Sequence, residues 1–139
     1  MNDSVFVDTN VLVYAATSDN RQMEKHDAAV ELLDGLTNSD VYISTQVVNE
    51  FYSILLKNHI DEASIREKIS ITLREVKLVI VRLSTIELCW QLRDRYHYSY
   101  WDSIILASAL EKGCGIIYTE DMQSQQLIDA KLRIVNPFA

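Results

Sequence analysis

Val5-Phe6-Val7 runs without a polar break straight into Asp8, and Thr9-Asn10 then lead into a second apolar run, Val11 to Ala15. An alternating pattern would mark a strand wet on one face. An unbroken apolar run marks a strand covered on both faces, the usual state in a parallel sheet. Val41-Tyr42-Ile43, Leu78-Val79-Ile80-Val81, Ile116-Ile117-Tyr118 and Leu132-Arg133-Ile134-Val135 repeat the theme along the chain. Helical spacing fills the intervals between them. The alternation predicts an α/β domain with a five-stranded parallel sheet covered by helices on both faces. Asp8 then stands at the carboxyl end of its strand, the edge at which open α/β sheets bind ligands.

The helices are read from period and caps. Asn10 to Ala16 has helical spacing, and Thr17 to Gln22 reads as a polar loop. Met23 to Leu36 carries Ala28, Ala29, Leu32, Leu33 and Leu36 on one face. Ser44 or Thr45 caps a helix whose Val47, Val48, Phe51, Tyr52 and Leu55 share a side, ending near Lys57-Asn58-His59. Asp61 to Val76 is a further helix with Ile65, Ile69 and Leu73 inward. Ser84-Thr85-Ile86-Glu87 fits a capping box opening a helix to about Tyr96. Ser99-Tyr100-Trp101-Asp102 fits the same box ahead of a strongly apolar helix to Lys112. Residues 122–131 read as a polar loop or short helix, and Asn136-Pro137 stops the last strand.

With 139 residues, 48% of them apolar, the chain suits a single domain, 1–139, with its own core. No apolar run nears the ~20 residues of a membrane span, and no basic stretch precedes an apolar one as in a secretory leader. Cys89 and Cys114 sit among apolar residues and glycine, as small core residues of a reducing compartment do. A cytoplasmic location is the expectation. The formal charge of −7 disfavours passive attraction to phosphate. An acidic chain can still act on nucleic acid if part of its acid excess holds a cation, which inverts the local sign.

Four carboxylates stand apart from the solvated ones. Asp8 follows the first strand, and Glu50 lies at the margin of an apolar helix stripe. Asp102 shares a helix face with Ile105, Leu106 and Ala109, while Asp121 follows the fourth strand. Each has an ordinary structural reading when taken alone: N-cap for Asp8, solvated helix residue for Glu50, box member for Asp102 and turn residue for Asp121. Glu120 is the more solvated neighbour of Asp121 in this reading, with a swap between the two left open. If strands one and four are neighbours, Asp8 and Asp121 face each other. Converging carboxylates repel, and a divalent cation resolves the repulsion. Mg²⁺ prefers oxygen ligands and keeps several waters. An all-carboxylate site therefore points to metal-assisted phosphodiester hydrolysis, with Thr9, Asn10 and Thr119 steadying the acids or a bound water. His26, His59 and His97 form no catalytic or metal pattern, and no glycine-rich phosphate loop is present. Trp101 and Tyr100 are able to stack on bases, with core packing the preferred role for Trp101. Tyr96, Tyr98 and Tyr100 stand near Arg93, Arg95 and His97, a mixture suited to RNA or to a protein partner.

Asp8-Thr9-Asn10 after an apolar strand, Glu50 in the second major helix, Trp101-Asp102-Ser103-Ile104-Ile105, Thr119-Glu120-Asp121-Met122 and the closing Arg133-Ile134-Val135-Asn136-Pro137-Phe138 together resemble the PIN domain. The likeness is strongest to VapC-type toxins of bacterial toxin–antitoxin pairs. The resemblance implies a three-layer α/β/α sandwich with a parallel sheet of order 3-2-1-4-5. It implies a Mg²⁺- or Mn²⁺-dependent endoribonuclease acting on RNA, with Asp8, Glu50, Asp102 and Asp121 as the acidic set. Asp8, Asp102 and Asp121 would be the metal ligands, and Glu50 would orient water or a second ion. It also implies a homodimer neutralised by a cognate antitoxin. One departure stands out: where many relatives carry a glycine after the Thr-Glu-Asp-Met segment, this chain has Ser124-Gln125-Gln126. That puts the local loop shape, and with it the placement of Asp121, in question.

The alternative within the family is a catalytically weak module that binds RNA or protein. A phosphoacceptor receiver would need a paired acid near Asp8 and a lysine after the last strand. Only Asn2-Asp3 precede the first strand, and Asn136-Pro137 follow the fifth. A haloacid-dehalogenase-like phosphatase needs a second aspartate two residues after the first, where Asn10 stands.

Overall fold

The computed structural model describes residues 4–139; Asn2 and Asp3 lie outside the described residues. The elements follow in the order β1 (Ser4–Val7), α1 (Thr9–Ala16), α2 (Met23–Gly35), β2 (Asp40–Ser44), α3 (Thr45–Lys57), α4 (Glu62–Glu75), β3 (Lys77–Val79), α5 (Leu83–Tyr96), α6 (Tyr100–Glu111), β4 (Ile116–Tyr118), β5 (Leu127–Ile128) and β6 (Leu132–Val135). A single-turn 3₁₀ segment, Asn20–Gln22, lies within the expected loop before α2.

The sheet order is β3-β2-β1-β4-β6-β5. The five expected strands pair in parallel in the expected order, with β6 as the fifth. The sheet nevertheless has a sixth strand. The segment expected as loop or helix contains β5, which pairs antiparallel with β6, Leu127 opposite Arg133. Asp129 and Ala130 between them both take positive φ, 50° and 59°, and the Lys131 N–H closes the turn on the Ile128 carbonyl at 2.9 Å. Two consecutive left-handed residues are the signature of the tight hairpin turn whose twist suits paired strands.

Burial explains the unbroken apolar runs. Phe6, Val7, Ile43, Ile117 and Ile134 are fully enclosed, with Leu55, Ile65, Leu92 and Leu106 packed from the helices. Every residue of α6 from Ser103 to Ala109 is buried. That is why its sequence is apolar all round rather than striped. Cys89 and Cys114 are buried and unpaired, and burial pushes the Cys114 thiol up to about 12. Among the described residues no helix is long and apolar enough to cross a membrane.

Several local expectations need correction. β3 starts at Lys77 and stops at Val79, and Ile80 beyond it is half-exposed. α5 begins at Leu83, one residue before the expected cap. Its first turn is closed by the Thr85 hydroxyl accepting from the Arg82 N–H at 3.1 Å, while the hydroxyls of Ser84 and Thr85 both donate to the Glu111 carboxylate. Leu73 points outward. Trp101 does not pack into the core: it is 63% exposed. Tyr96 and Tyr98 are engaged within the fold. Their hydroxyls bond Asp129 and Gln126, and Arg95 pairs with Asp129 at 2.6 Å, so this cluster fastens the β5 hairpin to the end of α5.

Candidate active site

β1 lies between β2 and β4, at the point where the strand order reverses, so the carboxyl ends of β1 and β4 open onto one crevice. Val7 is level with Tyr118. Asp8 and Thr119, one step further along, are therefore neighbours, and the Asp8 N–H donates to the Tyr118 carbonyl at 3.0 Å. Asp8 is the N-cap of α1, as its ordinary reading proposed, but it is also part of a larger arrangement. One carboxylate oxygen accepts from the Thr9 N–H at 2.7 Å and the other from the Thr119 hydroxyl at 2.8 Å.

Thr9, Asn10 and Thr119 also reach two of the other acids, Glu50 and Asp121. The Thr9 hydroxyl donates to Glu50 Oε1 at 2.8 Å, which ties the second turn of α3 to the start of α1. The Asn10 amide donates to Asp121 Oδ2 at 2.9 Å, and the Asp121 N–H donates to the Thr119 hydroxyl oxygen at 3.2 Å. Asp102 sits in the first turn of α6, where its N–H donates to the Ser99 hydroxyl oxygen at 3.1 Å. Asp8, Glu50, Asp102 and Asp121 all line one cleft of about 620 Å³, together with Thr9, Asn10, Tyr14, Asn49 and Lys57. No histidine lines it.

Burial dominates the electrostatics. It raises Asp8 from 3.8 to about 7 against the pull of the Thr119 and Thr9 hydrogen bonds, and the Glu50 and Asp121 charges add to the rise. Asp102, half-buried, is also held above the usual carboxylate range, first by desolvation and then by Asp121 and Glu50. Two acids from different elements thus feel the same neighbours. Among the described residues no three acidic, histidine or cysteine side chains close to the spacing that ligates one ion directly. Asp8, Glu50 and Asp121 each accept hydrogen bonds from neighbouring groups of the chain. One acceptor inside this network, Asn10 Oδ1, is buried and has no partner among the described residues.

Glu120 and Asp121 divide the work in a way the sequence left open. Asp121 is exposed and faces the cleft. Glu120 is the less solvated of the two: its carboxylate accepts from the Tyr14 hydroxyl at 2.7 Å and from the Lys25 ammonium at 2.8 Å. Lys25 also lies 5.1 Å above the Tyr14 ring and 5.9 Å from that of Phe138, and the two rings meet edge-on at 5.0 Å. Sequence reasoning missed this cluster and the role of Gln46, whose amide donates to Glu50 Oε2 at 3.4 Å and to the Trp101 carbonyl at 3.2 Å. Tyr14 and Glu120 are 106 residues apart, and nothing local marks such a pair.

Solved structures with this fold include the sarcin–ricin-loop-cleaving toxin VapC20 of Mycobacterium tuberculosis. It is 23% identical over 84% of this chain and 91% of that one, with a TM-score of 0.67. A toxin–antitoxin complex from Klebsiella pneumoniae is 20% identical, covering 96% and 97% of the two chains with a TM-score of 0.71. VapBC2 of Rickettsia felis, bound to a promoter DNA fragment, is 18% identical over 96% and 99% with a TM-score of 0.70. At these identities the likeness speaks for the fold. No curated protein matches the sequence. The profile of the PIN domain matches residues 5–129, nearly the whole chain, and the chain belongs to the PIN domain family.

Proposed function

We propose that this chain is a metal-dependent endoribonuclease and the toxin of a toxin–antitoxin pair. The observation that carries the reading is the meeting of Asp8, Glu50, Asp102 and Asp121, from four separate elements, in one cleft without a histidine. Two buried or half-buried carboxylates whose ionisation is suppressed by each other's surroundings are poor stability devices. They make sense as ligands. RNA as substrate and an antitoxin as partner follow the solved relatives, one of which cleaves the sarcin–ricin loop while others are toxin–antitoxin complexes. A cytoplasmic homodimer completes the reading.

The donor set fits Mg²⁺ or Mn²⁺. It is all oxygen, and the partnerless Asn10 Oδ1 adds a neutral acceptor. Mg²⁺ keeps several waters and needs only one or two direct carboxylates. Asp8, Asp102 and Asp121 would hold the ion, and its charge would neutralise a phosphoryl oxygen and acidify a water. Asp8 contributes an oriented carboxylate, fixed by Thr9 and Thr119 so that no reorganisation is needed on binding. Glu50, half-buried and steadied by Thr9 and Gln46, would orient the attacking water or a second ion. Asn10 holds Asp121 toward the cleft.

The test incubates purified protein with total cellular RNA in Mg²⁺, in Mn²⁺ and in excess chelator, beside Asp8→Asn, and maps the cut ends. Discrete cuts that need metal and vanish in the variant are expected. Cleavage surviving in chelator, or equal cleavage by Asp8→Asn, would overturn the site. A folded protein that cuts nothing in any lane would favour the binding module.

A further inference from the structure

We propose that the hollow beside Glu50 is a nucleobase subsite with the Trp101 indole as its stacking face, an inference that rests on reading the cleft as a ribonuclease site. Trp101 is 63% exposed on a helix whose residues from Ser103 to Ala109 are all buried. So large an apolar face in water is unfavourable unless it has a use. The ring is also held in place. Tyr100 meets it edge-on, centroids 5.5 Å apart at 88°, and the Tyr100 hydroxyl accepts in turn from Trp90 Nε1 at 3.3 Å. The Trp101 carbonyl accepts from the Gln46 amide, which pins this turn of α6 to α3.

The hollow measures about 450 Å³, within the range of small-ligand sites. Trp101, Val81 and Ile104 give it apolar walls, and Gln46 gives it a polar edge. Asn49 and Glu50 line both this hollow and the acidic cleft, so the two are continuous. Among the described residues no lysine or arginine lines it, and Glu50 borders it. Phosphate is therefore excluded, while a neutral planar group is accepted. A phosphodiester placed at the carboxylates carries such a group on either side. Single-stranded RNA is bound elsewhere by just this means, with splayed bases stacked on aromatic rings and their edges read by amides. Gln46 Oε1 is buried with no hydrogen-bond partner among the described residues, so the amide at this edge is not fully satisfied within the chain.

The experiment uses the full chain carrying Asp8→Asn, which should bind without cutting, and a 12-nucleotide single-stranded RNA with and without one abasic position. Trp101→Ala should lower affinity roughly 5- to 150-fold, and Trp101→Phe should restore most of it. An abasic position should weaken binding to the Trp101 protein and leave the alanine variant indifferent. With Trp90→Phe, Trp101 is the sole remaining indole of two, and RNA should quench its fluorescence. Because Trp101 is exposed, the variants should fold, which circular dichroism checks. Equal affinities for the three variants, or no quenching by bound RNA, would overturn the subsite and leave the nuclease standing; a protein side chain as the true occupant would give that result. Failure of the parent protein to bind or cut any RNA would remove the nuclease reading and the subsite together.

Discussion

The Thr119 hydroxyl donates to Asp8 Oδ2 at 2.8 Å, bridging the carboxyl ends of β4 and β1 where the sheet reverses its order. The same oxygen accepts from the Asp121 N–H, so one hydroxyl serves two of the four acids. Thr119 is completely buried, its hydroxyl oxygen also accepts from the Asn10 amide at 3.4 Å, and Thr119→Val preserves shape while removing all three bonds. We expect a loss of about 1–3 kcal/mol in stability, because a buried carboxylate loses a donor. The hydrogen bond lowers the Asp8 pKa. Its removal should push that pKa above about 7 and move the pH midpoint of Mn²⁺ binding upward. Calorimetric titration across pH checks the shift; an unchanged midpoint would show that Thr119 does not govern Asp8.

The raised pKa of Asp8 fixes the sign of a stability effect in the metal-free protein. Its folded value, about 7, lies above the ordinary 3.8 of an unfolded chain. The folded state then binds the proton more tightly. The resulting stabilisation is full below about pH 4, shrinks as pH rises, and is gone above about 7. A gap of this size corresponds to a few kcal/mol. Asp102 is shifted in the same direction, whereas Asp61 and Asp129 are lowered and act in the opposite sense only at more acid pH. Asp8→Asn should therefore be more stable than the parent at pH 8, with a flatter profile between pH 4 and 7. Chemical denaturation at several pH values reads this. Divalent cation should restore the parent at pH 8 and do little for the variant. Parallel profiles for the two proteins would refute the assignment.

Much of the fold was legible because its causes are local. The strands are short, apolar and buried on both faces, so the runs at Val5–Val7 and Ile116–Tyr118 announce themselves. What escaped is what depends on partners far along the chain. Ile80 and Val81 look like strand, yet β2 ends at Ser44, level with Val79, and turns into α3, so the Val81 N–H goes to the Thr45 hydroxyl at 3.2 Å instead of to a strand. The hairpin at Leu127–Ile128 offers only two residues and no glycine at its turn. Trp101 follows the general preference of large aromatics for interiors, and the first turn of α6 happens to stand at the rim. In the site, Asp8 and Asp102 were marked by charge next to apolar faces. Glu120 was misjudged as solvated because its partners, Lys25 and Tyr14, are 95 and 106 residues away.

That same cluster carries a prediction. Lys25 and Tyr14 clamp Glu120, and Glu120 is joined directly to Asp121 in the chain. Lys25→Met keeps the aliphatic stem over Tyr14 and Phe138 but removes the charge. Glu120 would lose one of its two partners, and the backbone that presents Asp121 would loosen. We expect Mn²⁺ affinity to fall by up to about tenfold, since residues supporting metal ligands act on this scale. Thermal stability should change little, because partly exposed ion pairs contribute little. Unaltered Mn²⁺ affinity would mean that Asn10 and Thr119 position Asp121 without help from Glu120.

The loop after Asp121 answers the question raised by its missing glycine. Gln125 adopts φ +74°, a left-handed conformation that glycine reaches without strain. Its N–H donates to the Ile134 carbonyl at 2.6 Å, and its own carbonyl accepts from Arg133 Nη1 at 3.1 Å. The chain therefore keeps a left-handed loop residue and tolerates a side chain there, at roughly 1–2 kcal/mol. Ala130, at φ +59° in the hairpin turn, is in the same position. Gln125→Gly and Ala130→Gly should each stabilise the protein by about 0.5–1 kcal/mol, the relief of strain being partly offset by the greater freedom of glycine in the unfolded chain. That corresponds to a rise in Tm of about 2–4 °C for each. Gln125→Ala retains a Cβ and should leave Tm unchanged. The backbone path is the same in all three, so Asp121 should keep its Mn²⁺ affinity. A glycine variant that lost stability, or an alanine variant that matched its gain, would show that the Gln125 side chain rather than the backbone holds this loop in place.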